Sequence, residues 1–134
     1  MNGSSSGPMQ VAAHAALNLL VLRCGDVAAS LVFYQALELE FVEERHGAGP
    51  THFAATMGEL VIELYPRPDA RPTEGSGCDP ARLGFTVSTL DGVLARLADL
   101  GVLVESPPRA TRWGRRAVVR DPDGRAVELV ESAG

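Results

Sequence analysis

Two glutamates stand in apolar stretches of matching sequence, Val61-Ile62-Glu63-Leu64 and Val127-Glu128-Leu129. A carboxylate in such a setting either lines a solvated sheet face or is buried with a partner, because an unpaired buried charge costs several kcal/mol. As a pair they are the candidate catalytic groups of the chain. Five other residues join them as candidates for binding a ligand: His52, Tyr65, Trp113, Arg82 and Asn18. Strand alternation puts His52 on one face with Ala54 and Thr56, where it is a base or ligand if that face is a binding surface and a bystander if it is not. Tyr65 shares a face with Glu63 by the same period. Trp113, the single tryptophan, sits in a loop, where an indole either packs over an end of the fold or stacks on a ligand. His14 and His46 fall in a leader and a turn and read as solvated.

The elements that must position these residues follow from the pattern of the chain. Asp121-Pro122-Asp123-Gly124 is a turn, since Pro122 presets φ and Gly124 accepts positive φ, and the flanking Ala117–Val119 and Ala126–Val130 make it a hairpin. Leu17 to Arg23 is a near-continuous apolar run, which predicts a strand buried on both faces. Asp26 is placed to cap a helix whose apolar stripe is Val27, Leu31, Tyr34 and Leu37. Strands are predicted over 39–44, 51–57 and 59–65. After a stretch rich in proline, glycine and charge, the order recurs: a strand over 82–87, a helix over 90–100 capped by Thr89 and stopped at Gly101, a strand over 102–105, a loop over 107–114, and the closing hairpin.

The chain is thus a tandem repeat of one βαβββ unit, offset by about 64 or 65 residues. The fold class is α+β: modules 15–66 and 81–132, joined by a linker over 67–80 and preceded by a leader over 1–14, form a curved mixed sheet around a trough with the helices on its outer face. Glu63 and Glu128 then occupy equivalent strands. In the first strands, Arg82 is set against Asn18 or its neighbour Leu19.

Composition bounds the function. A chain of 134 residues with 46% hydrophobic and 22% charged residues is one globular domain. Its net charge of −5 argues against general affinity for nucleic acid or anionic membranes, and its longest apolar stretch is too short to span a bilayer. All twelve basic residues are arginine, so the cluster at 109, 112, 115, 116, 120 and 125 reads first as a solvated, acid-paired surface and second as an attractor of anions. Cys24 and Cys78 have no metal or disulfide spacing, which fits free thiols in a cytoplasmic protein.

The series Asp26…Ser30…Phe33-Tyr34, Gly58 to Leu64, Arg82 to Val87 and Asp121 to Gly124 with Val127-Glu128-Leu129 resembles the vicinal oxygen chelate superfamily, the glyoxalase, bleomycin-resistance and extradiol dioxygenase group. That resemblance implies a site in the trough where metal-dependent members hold a divalent ion such as Ni, Zn, Mn or Fe with histidines and glutamates from the first and last strands of each unit. Here the glutamate positions carry Glu63 and Glu128. The histidine positions carry Asn18 or Leu19, and Arg82, whose guanidinium stays protonated and cannot donate a lone pair. The expectation is a metal-free trough in which the Arg82 guanidinium pairs with Glu128, with Glu63 as an optional second partner, bidentate on at least one, in place of a cation. The function expected is binding of a small organic molecule, as in antibiotic sequestration, or cofactor-independent acid–base chemistry. The alternatives are a metal-dependent lyase, thiol transferase or dioxygenase using Glu63, Glu128 and His52, and a non-catalytic dimeric scaffold. A homodimer is expected because isologous packing would cover sheet edges.

Overall fold

Alternation decides which side of each strand meets the helices, and it operates from the first strand onward. The computed structural model describes residues 14–68 and 81–132; Cys78 and most of the linker lie outside them. Strand β1 (Leu19–Cys24) is followed by α1 (Val27–Gln35), β2 (Val42–Glu44), β3 (His52–Met57) and β4 (Leu60–Pro66). The second unit repeats the order as β5 (Leu83–Val87), α2 (Leu90–Asp99), β6 (Val104–Thr111), β7 (Gly114–Arg120) and β8 (Ala126–Glu131). Each unit forms a four-stranded mixed sheet, ordered β1-β4-β3-β2 and β5-β8-β7-β6, in which the first strand pairs in parallel with the last. The α+β tandem architecture is as read from the repeat, with one refinement: among the described residues no strand pairing joins the two sheets.

In β1, Leu22 and Cys24 are buried while Leu19 and Val21 are exposed. The apolar run is therefore not buried on both faces, contrary to the sequence reading: one face packs into the core and the other is open. The core gathers Leu22, Phe33, Tyr34, Ile62 and Leu64 from the first unit with Val87, Leu90, Val93, Leu97, Val127 and Leu129 from the second, so neither unit buries its sheet alone. Helix α1 packs on β4 and α2 on β8. Asp26 caps α1 by accepting from Ala29 N–H (3.1 Å), whereas Thr89 makes no side-chain cap bond to α2. Gly101, with φ +82°, ends the second helix as expected.

One predicted loop is a strand. β6 runs from Val104 to Thr111 through Pro107 and Pro108, with register shifts between Val104 and Ser106 and between Ser106 and Arg109. Prolines are tolerated there because β6 is the edge of its sheet and the irregularities absorb the missing donors. Gly114 then opens β7 at φ +122°, where a Cβ would stand 2.4 Å from the Glu131 carbonyl oxygen; only glycine fits.

Beyond the shared core, polar contacts of the Asp-Pro-Asp-Gly turn tie the two units together. Asp121 Oδ1 accepts from the backbone N–H groups of Asp123 and Arg125, both at 2.9 Å. Its Oδ2 accepts from the Tyr34 hydroxyl (2.6 Å) and from Arg125 Nη1 (3.0 Å), and Arg125 Nη2 donates onward to the Arg23 carbonyl (2.7 Å). Asp123 Oδ1 accepts from Gly25 N–H (2.9 Å). A second seam lies at Glu38, which accepts from the Ser88 N–H and hydroxyl, with Arg96 donating to the Ala36 carbonyl.

Candidate functional site

The open face of the second sheet carries the denser polar arrangement. In the parallel register Gly84 lies beside Glu128, so Arg82, two residues earlier, falls on the same face; across the antiparallel pair, Val118 opposes Glu128 and Arg116 lies diagonal to it. Arg82 Nε donates to Glu128 Oε2 at 2.5 Å. Arg116 grips the same carboxylate in bidentate fashion, Nε to Oε1 and Nη2 to Oε2, both at 3.0 Å. These contacts, the Arg116 hydrogen bond first, hold the Glu128 carboxyl below the ordinary carboxylate range, against a smaller opposing effect of burial. Such a group is a weak proton acceptor and suits the holding of arginines better than general-base chemistry. Beside it lies a cavity of about 180 Å³ lined by Arg82, Ser106, Arg109, Arg116, Ala117 and Val118. Three arginines line this space, and Glu128 pairs with two of them. Sequence reasoning placed Arg116 only in a surface cluster; its diagonal register to Glu128 was the signal that could have singled it out.

The open face of the first sheet is less polar. Val21 lies beside Glu63, and Leu19 therefore occupies the place that Arg82 holds in the second unit. This resolves the alternative between Leu19 and Asn18. Asn18 precedes β1, and its carbonyl accepts from Val61 N–H (2.9 Å). Glu63 is half-buried, opposite Ala54, and among the described residues no hydrogen bond or ion pair reaches it. Arg82 thus meets Glu128, as expected, and its contact does not extend to Glu63 in the first unit. Tyr65 stacks on His52 with centroids 4.1 Å apart and planes 10° apart, and the Arg23 guanidinium lies over the Tyr65 ring at 5.3 Å. His52 is 1% exposed; its partners are Pro50, Glu44 and Tyr65.

Glu63, Glu128 and His52, the set implied for a metal, do not form one cluster among the described residues. The cluster with metal-ligand types is Glu44, His46 and His52. At the four family positions the donor chemistry does not fit a divalent ion within this chain: Leu19 offers no lone pair, Arg82 is a cation, and both oxygens of Glu128 are taken by guanidiniums. Glu63 alone keeps a carboxylate available. Trp113 is 69% exposed in the tight turn between β6 and β7, its backbone N–H donating to Thr111 Oγ1 and its ring covered by Arg112 at 4.9 Å. It does not pack over the end of the fold. Cys24 is a buried free thiol whose pKa is raised, chiefly by burial, and is inert as a nucleophile.

Solved structures share this architecture. The hypothetical protein SA1046 from S. aureus matches with a TM-score of 0.68 at 15% identity, covering 92% of this chain and 97% of the other. The antibiotic binding protein TnmS3 from Streptomyces sp. CB03234 matches at 0.64 and 21%, covering 92% and 100%. The fosfomycin resistance protein FosX from Listeria monocytogenes matches at 0.63 and 18%, covering 89% and 94%. At these identities the likeness is one of fold. A comparison with curated protein sequences finds no match. The family model for the glyoxalase/bleomycin resistance protein/dioxygenase superfamily matches residues 14–129, and with the tandem sheets described above this shows that the chain belongs to that superfamily.

Proposed function

We propose that this protein binds a small organic anion on the open face of its second sheet without a metal ion at the family positions, and that its biological role is sequestration of such a molecule. The observation that carries this reading is Glu128 held by Arg82 and Arg116 beside a cavity also lined by Arg109. Two guanidinium forks converging on one carboxylate have the geometry that recognises another carboxylate, or a phosphonate. An incoming anion competes with Glu128 for them, so the internal carboxylate acts as a placeholder. The antibiotic-binding and fosfomycin-resistance neighbours support a sequestering or drug-directed role. Glu63, Tyr65 and Trp113 belong to the reading as a second charge and two aromatic surfaces for the organic part of the ligand. Leu19, Val21 and Val42 are exposed apolar side chains on the first unit, and a homodimer that covers them is part of the proposal, as is a cytoplasmic location.

The test is calorimetric titration of a panel of small carboxylates and phosphonates, and of antibiotics carrying these groups, each run with and without a chelator. Saturable binding that weakens at least tenfold in both R82A and R116A is the expected result. Binding that vanishes in chelator, or a panel without any ligand, would overturn it.

A further inference from the structure

The hairpin joining β2 to β3 carries a second cluster. Glu44 is the cross-strand partner of His52, and His46, two residues past Glu44, returns over the same side with its ring 5.1 Å from that of His52. Both imidazoles address one oxygen: Glu44 Oε1 lies 3.2 Å from His52 Nε2 and 3.7 Å from His46 Nε2. All three ligand atoms fall within 4.8 Å of one another.

The hydrogen positions sharpen what this cluster lacks. The Pro50 carbonyl, 3.3 Å from His52 Nδ1, can only accept, so Nδ1 carries the hydrogen. In a neutral ring Nε2 then holds a lone pair, and that lone pair faces a carboxylate oxygen at 3.2 Å. Two acceptors at this distance repel unless a cation or a proton stands between them. An Nδ1–H bonded to a backbone carbonyl is also the contact that fixes a metal-binding imidazole with Nε2 outward. Ligands around a tetrahedral zinc ion are separated by roughly 3.4 Å, given bonds of about 2.1 Å, and the two separations to Glu44 bracket that value. His52 is buried and oriented, Glu44 half-buried, and His46 exposed, so the third ligand stands on the solvent side of the site.

We propose that Glu44, His46 and His52 form a binding site for Zn²⁺, distinct from the family's metal positions, with a coordination place left for water or for the Tyr65 hydroxyl, which lies 3.2 Å from His52 Nε2. Two neutral imidazoles and one carboxylate suit a borderline late first-row dication.

The experiment uses tag-free, chelator-stripped full-length protein, titrated with zinc chloride by calorimetry and followed by thermal melting. One ion per chain and a zinc-dependent rise in Tm are expected. His46→Ala removes an exposed ligand, so the metal-free variant should melt like the wild type while binding zinc at least tenfold more weakly; Glu44→Gln should weaken zinc binding in the same direction. The E63Q/E128Q double variant should bind zinc like the wild type. Absence of stoichiometric uptake at micromolar zinc, undiminished affinity in His46→Ala, or loss of zinc in E63Q/E128Q would each overturn the assignment.

Discussion

The β7–β8 hairpin carries two arginine–carboxylate clusters, one at its turn and one along its strands. At the turn, Asp121 and Arg125 are 4% and 3% exposed, and the carboxylate accepts from two backbone N–H groups, a tyrosine hydroxyl and a guanidinium. Along the strands, Glu128 and its partners Arg82 and Arg116 have side chains 28%, 49% and 29% exposed, and the carboxylate is held by arginines alone. The first arrangement is closed: each charge is surrounded by protein and its partners come from both repeats. The second is open, with two cations at the edge of a cavity. Similar chemistry therefore serves two ends. A sealed pair fixes the relative placement of two modules, while an accessible one leaves its guanidiniums available for exchange.

The largest effect should follow from breaking the sealed pair. Replacing Asp121 by alanine leaves the buried Arg125 charge with the longer carboxylate pairing to Asp123 (3.6 Å) and the Tyr34 hydroxyl without its acceptor, which should cost about 3–5 kcal/mol. Urea denaturation measures it; a loss below about 1 kcal/mol would mean that the turn is not what joins the modules. Y34F removes one hydrogen bond to a charged group and should cost about 1.5–3 kcal/mol on the same assay. Burial, followed by the neighbouring Asp121 charge, pushes the Tyr34 phenol well above its ordinary value, so its ultraviolet titration should lag behind that of a free tyrosine in alkali until the protein unfolds.

The open cluster should behave in the opposite manner, with little effect on stability and a large one on binding. Because both arginines are partly solvated, E128Q should change stability by at most about 1 kcal/mol, yet it removes the internal competitor for Arg82 and Arg116 and should tighten binding of a monovalent carboxylate several-fold in calorimetry. Weaker binding in E128Q would show that Glu128 contacts the ligand itself. Since the folded-state pKa of Glu128 is depressed, its contribution to stability is fully present above the ordinary carboxylate range and fades as pH falls through the lower folded value. The wild-type advantage over E128Q in chemical denaturation should shrink accordingly below about pH 4.

These two clusters were unequally legible in the sequence. The repeat was readable because turn chemistry and strand composition recur locally, and it gave Glu128 its equivalent in Glu63 and set Arg82 on its face. The partnership of Tyr34 with Asp121 was not, because it joins residues 87 positions apart through packing that no local pattern records. The first strand was misread since an apolar run looks the same whether its second face is buried or open; Leu19 and Val21 show it to be open. β6 was misread because two prolines resemble a loop unless the edge position and register shifts are known. Arg116 was obscured by the arginine bias, and His46 by a turn that, once folded, returns it to Glu44.

The smallest effect is expected where a side chain touches neither cluster. Trp113 stands exposed in the β6–β7 turn with Arg112 over its ring, so W113A should alter stability by no more than about 0.5 kcal/mol, as surface substitutions do. Its bearing on the comparison is through binding. If the ligand's organic part reaches from the arginine-lined cavity to that turn, W113A should weaken affinity by a few-fold and the indole emission of the wild type should shift on titration. Emission and affinity that are both indifferent to the ligand would confine the site to the sheet face around Glu128.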